Sequence, residues 1–147
     1  MISKNFLSGI FSVVSFILVS NLVIPSTFAL CPPDVSGTWV VTGVEVGECC
    51  SDKGGKFKVS FVVTQVGDKI SASWVEDTDD SNLLTGIVNG NSVYGEIVGT
   101  DLEHSGCGWV THLVGIIKGN RITGYHTRAE TCGTCRGHGK FVVKIVK

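Results

Sequence analysis

The sequence lacks the motifs by which the commonest catalytic and ion-binding sites are recognised. It contains no Gly-x-Ser-x-Gly, no His-Glu-x-x-His, no phosphate-binding loop and no EF-hand spacing, so it is not predicted to be an enzyme. Charge of one sign is not in excess either, because 12 basic side chains are balanced by 13 acidic ones. Nucleic-acid binding depends on a basic surface that neutralises phosphates, so DNA and RNA are not expected as partners.

The first 29 residues have the organisation of a secretory signal peptide. Lys4 gives a basic start, and residues 6–24 form an apolar stretch that only Ser, Gly and Asn interrupt. Thr27-Phe28-Ala29 then supplies the small-x-small pattern that signal peptidases cleave. We therefore expect residues 1–29 to be removed from a secreted or periplasmic protein whose mature part, residues 30–147, is one domain.

Two other interpretations of this N-terminus are weaker. A transmembrane anchor needs about 20 apolar residues, which the stretch nearly provides, but no basic cluster follows it. A lipoprotein would carry small residues directly before its modified cysteine, whereas the bulky Leu30 precedes Cys31. We therefore expect no membrane span after cleavage.

Beyond residue 29 the chain has almost no helical periodicity and is rich in Val, Ile, Thr and Gly. Apolar and polar residues alternate there, and this period of two predicts half-buried strands. The predicted strands are residues 37–46, 56–66, 69–76, 83–89, 92–99, 108–118, 121–128 and 139–146. Three connections are short pairs that suit two-residue hairpin turns, in which Gly and Asn accept positive φ: Gly67-Asp68, Gly90-Asn91 and Gly119-Asn120.

An internal repeat supports a simple meander of these strands. The segment Gly86–Gly95 recurs as Gly115–Gly124, 29 residues later, so one hairpin pattern is used again. An open meander leaves two unpaired edges, whereas closure removes them. We therefore predict an all-β fold, an eight-stranded antiparallel up-and-down meander closed into a small barrel, with a two-sheet sandwich as the alternative.

The start of the first predicted strand, Ser36-Gly37-Thr38-Trp39, resembles the Gly-x-Trp opening of lipocalins and avidin-like barrels. The resemblance implies a calycin-type barrel whose floor is closed by Trp39. Avidins continue with a polar stretch that contacts their ligand, whereas Val40 and Val41 follow here. The resemblance therefore does not extend to biotin binding.

Alternate connections of a meander lie at opposite ends, so the three tight turns share one end and the four long loops share the other. We call the second end the loop rim. It is expected to collect five cysteines, namely Cys49, Cys50, Cys107, Cys132 and Cys135, while Cys31 starts from the opposite end. The other polar residues expected there are His104, His138, Glu48, Asp77, Asp79, Asp80, Asp101 and Glu103.

Disulfides are the first interpretation of all six cysteines, because an exported chain meets an oxidising compartment. The sequence does not choose their pairing. The alternative is a zinc site of Cys107, Cys132, Cys135 and His138, because a Cys-x-x-Cys turn presents two thiolates to one ion. A thiol-redox Cys-x-x-Cys is a third interpretation. Haem attachment is excluded because Arg136 stands where the histidine would follow Cys135. No cofactor is therefore expected, unless the zinc alternative holds.

Trp74, Trp109 and His126 share the inward phase of their strands near the loop rim. Aromatic walls with a polar group are typical of ligand sites, although the same residues would also serve to cap a filled core. Glycines with the inward phase either let the walls pack closely or leave a cavity: Gly86, Gly95, Gly115 and Gly124.

Three functions remain open on these grounds. The first is a binding module that takes a small apolar or aromatic ligand, or another exported protein, at the loop rim. The second is a structural or surface-associated protein with a filled core. The third is a metal-binding or thiol-redox protein that uses the Cys-x-x-Cys-x-x-His loop.

Overall fold

The computed structural model of the protein describes residues 31–47, 55–76, 80–101 and 107–147. The expected signal peptide lies outside the described residues. Within them, no helix is long and apolar enough to cross a membrane. The strands are β1 (Gly37–Gly47), β2 (Lys56–Val66), β3 (Lys69–Val75), β4 (Asp80–Asn89), β5 (Ser92–Asp101), β6 (Cys107–Lys118), β7 (Arg121–Glu130) and β8 (Arg136–Val146).

Each strand pairs antiparallel with the next, and β8 pairs with β1, so the sheet is a closed eight-stranded barrel. This confirms the predicted all-β meander and its closure, and excludes the two-sheet sandwich. β4 and β8 each begin three residues before the predicted start, at Asp80 and Arg136. The backbone ladder continues there through polar residues, because ladder hydrogen bonds do not depend on apolar alternation.

The predicted inward phase is confirmed along all eight strands. The more buried residues recur with a period of two along the strands, and their side chains meet in one core inside the barrel. Closure gives each inward side chain neighbours on all sides, which is why alternation alone specifies this core. Its buried members are Val35, Trp39, Phe61, Val63, Ile70, Ala72, Leu84, Val88, Val93, Ile117, Ile122, Phe141, Val143 and Ile145.

One end of the barrel carries the three tight turns. Gly67, Gly90 and Gly119 have φ of 63°, 55° and 60°, values that glycine adopts without the steric cost of a Cβ. These turns are the predicted ones. The strand ends that flank the four longer connections therefore lie at the opposite end of the barrel, as predicted.

The segment before β1 closes the end that carries the tight turns. Val35 is buried, and its carbonyl accepts a hydrogen bond of 2.7 Å from Nε1 of Trp39. The amide of Val35 donates to Oε1 of Gln65 at 2.8 Å, and Nε2 of Gln65 donates to the carbonyl of Gly67 at 2.9 Å. We call this closed end the floor. Trp39 thus occupies the place that the resemblance implied.

The inward glycines at mid-barrel are covered by side chains from neighbouring strands. A Cβ on Gly124 would lie 2.8 Å from Cζ of Phe141, and one on Gly95 would lie 3.1 Å from Leu84. The same Cβ would lie 3.2 Å from Cδ1 of Leu113. The sequence left open whether these glycines let the walls pack closely or leave a cavity, and the structure shows close packing at these positions.

β2 and β3 are joined through a short ladder near their hairpin. Its three register pairs run from Val66–Lys69 to Thr64–Ser71. Closer to the loop rim, the rings of Phe61 and Trp74 stack at 4.0 Å between centroids and an interplanar angle of 9°. Ring stacking thus joins the two strands beyond the end of their ladder.

Candidate functional site

The three residues proposed for ligand binding, Trp74, Trp109 and His126, line one cavity of about 180 Å³ inside the barrel. Trp74 lies at the end of β3 and Trp109 near the start of β6, so both stand in the half of the barrel nearest the loop rim. The other lining residues are Trp39, Val41, Glu45, Phe57, Val59, Phe61, Glu76, Asn82, Ile97, Thr111, Leu113, Arg128, Phe141 and Val143.

Aromatic rings form much of the cavity wall. Phe61 stacks on Trp74 and also lies 6.1 Å from Trp39, measured between ring centroids. On another side, the ring of Phe57 meets the imidazole of His126 edge to face, at 5.5 Å and 89°. Such geometries suit the ring quadrupoles and hold the side chains in fixed positions. The wall is therefore shaped by aromatic contacts that bridge several strands.

Asn82 stands among these rings and was missed by the sequence prediction. It pairs in register with Trp74 on β3 and with Gly99 on β5, and Gly99 pairs with Trp109 on β6. The indole of Trp109 lies against Gly99, where a side chain would overlap it. Asn82 is 5% exposed. The predicted fourth strand began at residue 83, so Asn82 was assigned to a loop rather than to the barrel interior.

Three nitrogen atoms of the cavity wall are buried without a hydrogen-bond partner among the described residues. They are Nε1 of Trp74, Nδ2 of Asn82 and Nε2 of His126. A buried polar group without a partner costs about 1–3 kcal/mol of folding free energy, so three such groups in one cavity destabilise this part of the barrel. Such groups cluster where a ligand or ordered water completes the hydrogen bonding.

Glu45 and Arg128 form an ion pair at the end of the cavity nearest the loop rim. Oε2 of Glu45 lies 3.8 Å from Nη1 of Arg128, and the two side chains are 27% and 37% exposed. The guanidinium also lies 4.6 Å from the ring centroid of Trp109. Extending the inward period of two beyond Val41 and His126 would have found both residues, although the prediction stopped short of them.

Two inward glycines of β8 make room for polar side chains. A Cβ on Gly137 would overlap the carboxylate of Glu45, and one on Gly139 would lie 2.7 Å from Nε2 of His126. Gly139 also lies against the carbonyl of Val44. That carbonyl lies close enough to His126 to raise the pKa of the imidazole, but not in the geometry of a hydrogen bond to Nε2. The glycines thus allow a carboxylate and an imidazole to lie against the barrel wall.

Burial lowers the pKa of His126 below its ordinary value, because the charged imidazolium is disfavoured away from water. The carboxylate of Glu45 and the carbonyl of Val44 oppose this effect, while the positive charge of Arg128 and, to a smaller extent, His138 add to it. The imidazole is therefore neutral near pH 7, and it presents one donor and one acceptor nitrogen.

Four of the six cysteines lie in the described part of the chain, and two of these four form a disulfide. Cys107 and Cys132 are joined, with their Cα atoms 5.4 Å apart, so the start of β6 is tied to the loop after β7. Cys135 is half-buried in the same loop, and Cys31 is exposed before the floor. Cys49 and Cys50 lie outside the described residues. A disulfide is thus confirmed for one pair of the six.

The zinc alternative loses two of its ligands in this oxidised form, because the sulfurs of Cys107 and Cys132 are bonded to each other rather than present as thiolates. His138 is exposed, on the outer side of β8. No group of three or more metal-binding side chains is found within the described ranges. His104, Glu48, Asp77, Asp79 and Glu103 are outside those ranges, while Asp80 of β4 and Asp101 of β5 are backbone register partners at the rim.

The chain matches no model of a known protein family, no curated protein and no solved structure. The likeness to lipocalins and avidin-like barrels therefore consists of the Gly-x-Trp opening and the closed eight-stranded meander. Because a shared fold does not determine function, any function has to be argued from the cavity.

Proposed function

We propose that this protein is an exported β-barrel binding module that holds a small apolar or aromatic ligand in its interior cavity. The observation that carries the proposal is a cavity with aromatic walls and three buried nitrogen atoms that have no hydrogen-bond partner among residues 31–47, 55–76, 80–101 and 107–147. Small-molecule sites combine apolar walls with a few polar groups in this way. Binding would offset the cost of leaving those nitrogen atoms unpaired.

The size of the cavity limits the ligand. An apolar cavity of roughly 150 Å³ is large enough to hold benzene, so a cavity of about 180 Å³ has room for one ring or two fused rings. The floor is closed by Val35 and Trp39, whereas Glu45 and Arg128 border the cavity near the loop rim. A ligand would therefore enter the cavity from the loop rim.

A titration with a fused two-ring probe tests the proposal. Naphthalene is expected to bind the mature protein saturably and to change its tryptophan fluorescence. Leu113→Phe fills part of the cavity and should weaken binding by about tenfold, because overpacking strains the wall. Val114→Phe is the matched control, since Val114 is the next residue along β6 and is exposed. Absence of saturable binding to any fused-ring probe would refute the proposal.

Export is the second part of the proposal. The Cys107–Cys132 disulfide supports it, because stable disulfides are typical of extracytoplasmic proteins. The intact mass of the native protein, measured with and without alkylation, is expected to begin near residue 30 and to show disulfides. A mass that includes residues 1–29, or bound zinc with reduced Cys107 and Cys132, would contradict it.

A second candidate function is association with another protein through the outer face of the barrel. Ile87, Tyr94, Val114 and Tyr125 pair in register across β4 to β7, and all four side chains are exposed. Contiguous exposed apolar residues are typical of interaction surfaces. A second copy of the chain is the simplest partner to test. Sedimentation of the wild type should then show a dimer that Val114→Glu dissociates, whereas a monomeric wild type excludes self-association.

A further inference from the structure

We propose that the cavity selects a neutral, planar aromatic ligand that carries hydrogen-bond acceptors on one edge, such as a ring carbonyl. This inference rests on the proposed function, because it names the chemical class of the ligand for the same cavity. The juxtaposition that carries it is Trp74 beside Asn82: each has a buried N–H donor without a hydrogen-bond partner in the described part of the chain, and the indole of Trp109 lies on the other side of Asn82, against Gly99.

The two donors come from directly opposed positions. Trp74 and Asn82 are register partners on β3 and β4, so their side chains leave the same face of the sheet, with Cβ atoms about 5 Å apart. Asn82 is 5% exposed. An indole N–H can only donate, so the group that meets Nε1 of Trp74 must be an acceptor. One acceptor edge of a ligand can satisfy both residues.

The surroundings of the donors favour a flat ligand. Trp74 is held by its stack with Phe61 on one side of Asn82. On the other side, the indole of Trp109 lies against Gly99, the residue that pairs with Asn82 on β5. Aromatic faces pack best against planar groups, in offset or edge-to-face geometry.

The charges of the cavity argue for a neutral ligand. Arg128 and Glu45 lie 3.8 Å apart, so the positive charge of one is countered by the negative charge of the other. The guanidinium is also held 4.6 Å from the Trp109 ring. Glu76, the third charged residue of the lining, is exposed to solvent. An anionic ligand would lose its hydration without meeting an unbalanced positive charge, and a cationic one would meet only the solvent-exposed carboxylate of Glu76.

The test compares three probes that share a fused two-ring outline. Coumarin is neutral and has acceptors but no donor, naphthalene has neither, and coumarin-3-carboxylate is anionic. Dissociation constants are measured by calorimetry on the mature protein. Coumarin is expected to bind about tenfold more tightly than naphthalene, because only coumarin satisfies the buried donors. Coumarin-3-carboxylate is expected to bind more weakly than coumarin.

The indole N–H resonances provide a second measurement that does not depend on affinity. The chain has three tryptophans, and Nε1 of Trp39 already donates to Val35. Coumarin should move the Trp74 indole proton downfield as it gains an acceptor, while the Trp39 proton stays in place. Naphthalene should produce no such downfield shift.

Variants then assign the effect to Asn82. Asn82→Leu should reduce the preference for coumarin over naphthalene by about tenfold, because the leucine side chain has no hydrogen-bond donor. Thr85→Val is the matched control, because it makes a polar residue of the same strand apolar on the exposed side of the barrel. If Asn82→Leu does not fold, the wild-type comparison of coumarin with naphthalene decides the matter.

The outcomes separate this inference from the function on which it rests. Equal binding of coumarin and naphthalene, with no change of the Trp74 proton, would overturn the inference and leave the binding module standing. Tightest binding of the anionic probe would overturn it as well. If none of the three probes binds, the proposed function fails and the inference fails with it.

Discussion

Gly99 lies beneath the indole of Trp109, so the position of a cavity wall depends on a residue with no side chain. Gly137 and Gly139 play the same part for the carboxylate of Glu45 and the imidazole of His126. At the residue scale, therefore, the glycines of the wall determine where the larger side chains lie. Their mutation is expected to act on a neighbour rather than on the local backbone.

Gly99→Ala provides a direct measurement of this dependence. The added methyl overlaps the Trp109 indole, so we expect a loss of about 1–3 kcal/mol in the free energy of unfolding and a shifted tryptophan emission spectrum. Urea denaturation followed by fluorescence measures both. Gly55→Ala is the control, since a Cβ at Gly55 meets nothing within 4 Å. Equal effects of the two variants would contradict the role given to Gly99.

His126 is expected to make stability depend on pH. Its pKa is lowered in the folded protein, so below its ordinary pKa of about 6.5 the unfolded chain binds more protons than the folded one. The free energy of unfolding should therefore fall as pH decreases from about 7 to about 5. Urea denaturation across that range measures this fall.

The His126→Gln variant should lose that part of the pH dependence. His112→Gln is the control, because the side chain of His112 is 66% exposed. The groups that act on His126 are the Glu45 carboxylate, the Val44 carbonyl, Arg128 and His138. A slope with pH that is unchanged in His126→Gln would show that another group is responsible.

At the scale of the element, the contact between β2 and β3, which we call the seam, depends on ring stacking because its ladder is short. Three register pairs join the strands, and beyond them Phe61 stacks on Trp74. Phe61→Leu keeps an apolar side chain but removes the stack. The amides of β3 should then exchange with deuterium faster, while those of β5 stay protected, because local opening follows local loss of contacts.

Val62→Ala is the control for this exchange experiment. Val62 neighbours Phe61 on β2 but is 62% exposed, so its truncation should leave the seam intact. Faster exchange spread evenly over β3 and β5 in Phe61→Leu would mean that the variant is destabilised globally. The prediction that the seam depends on the stack of Phe61 and Trp74 would then be wrong.

The elements also show what the sequence could and could not predict. Alternation identified eight strands and their inward phase, because closure buries one side of each strand throughout. It failed at the rim, where β4 extends to Asp80 and β8 to Arg136 through polar residues. Asn82 was for that reason assigned to a loop instead of the barrel interior. Glu45 and Arg128 were overlooked because charged side chains at inward positions do not continue an apolar pattern.

At the scale of the whole molecule, the Cys107–Cys132 disulfide closes a loop across a sequence separation of 25 residues. The double variant Cys107→Ser, Cys132→Ser should lower the free energy of unfolding by about 3 kcal/mol, chiefly by freeing the unfolded chain. Thr131 still holds the same place, since its amide donates to the carbonyl of Gly108 at 2.8 Å.

The double variant is therefore expected to keep the native circular dichroism spectrum while unfolding at lower urea concentration. Reduced wild-type protein should behave in the same way, and it serves as the matched comparison. A variant as stable as the oxidised wild type would show that the disulfide contributes nothing beyond the Thr131 contacts.

The pairing of β1 with β8 sets the order in which the molecule can be completed. Thr42 lies opposite Val142, 100 residues later, and contacts so distant in sequence form slowly. A ribosome delivers β1 first and β8 last, so β1 keeps one edge unpaired throughout synthesis. Phe141 and Val143 of β8 line the cavity, so a nascent chain acquires its complete cavity wall only with its final strand.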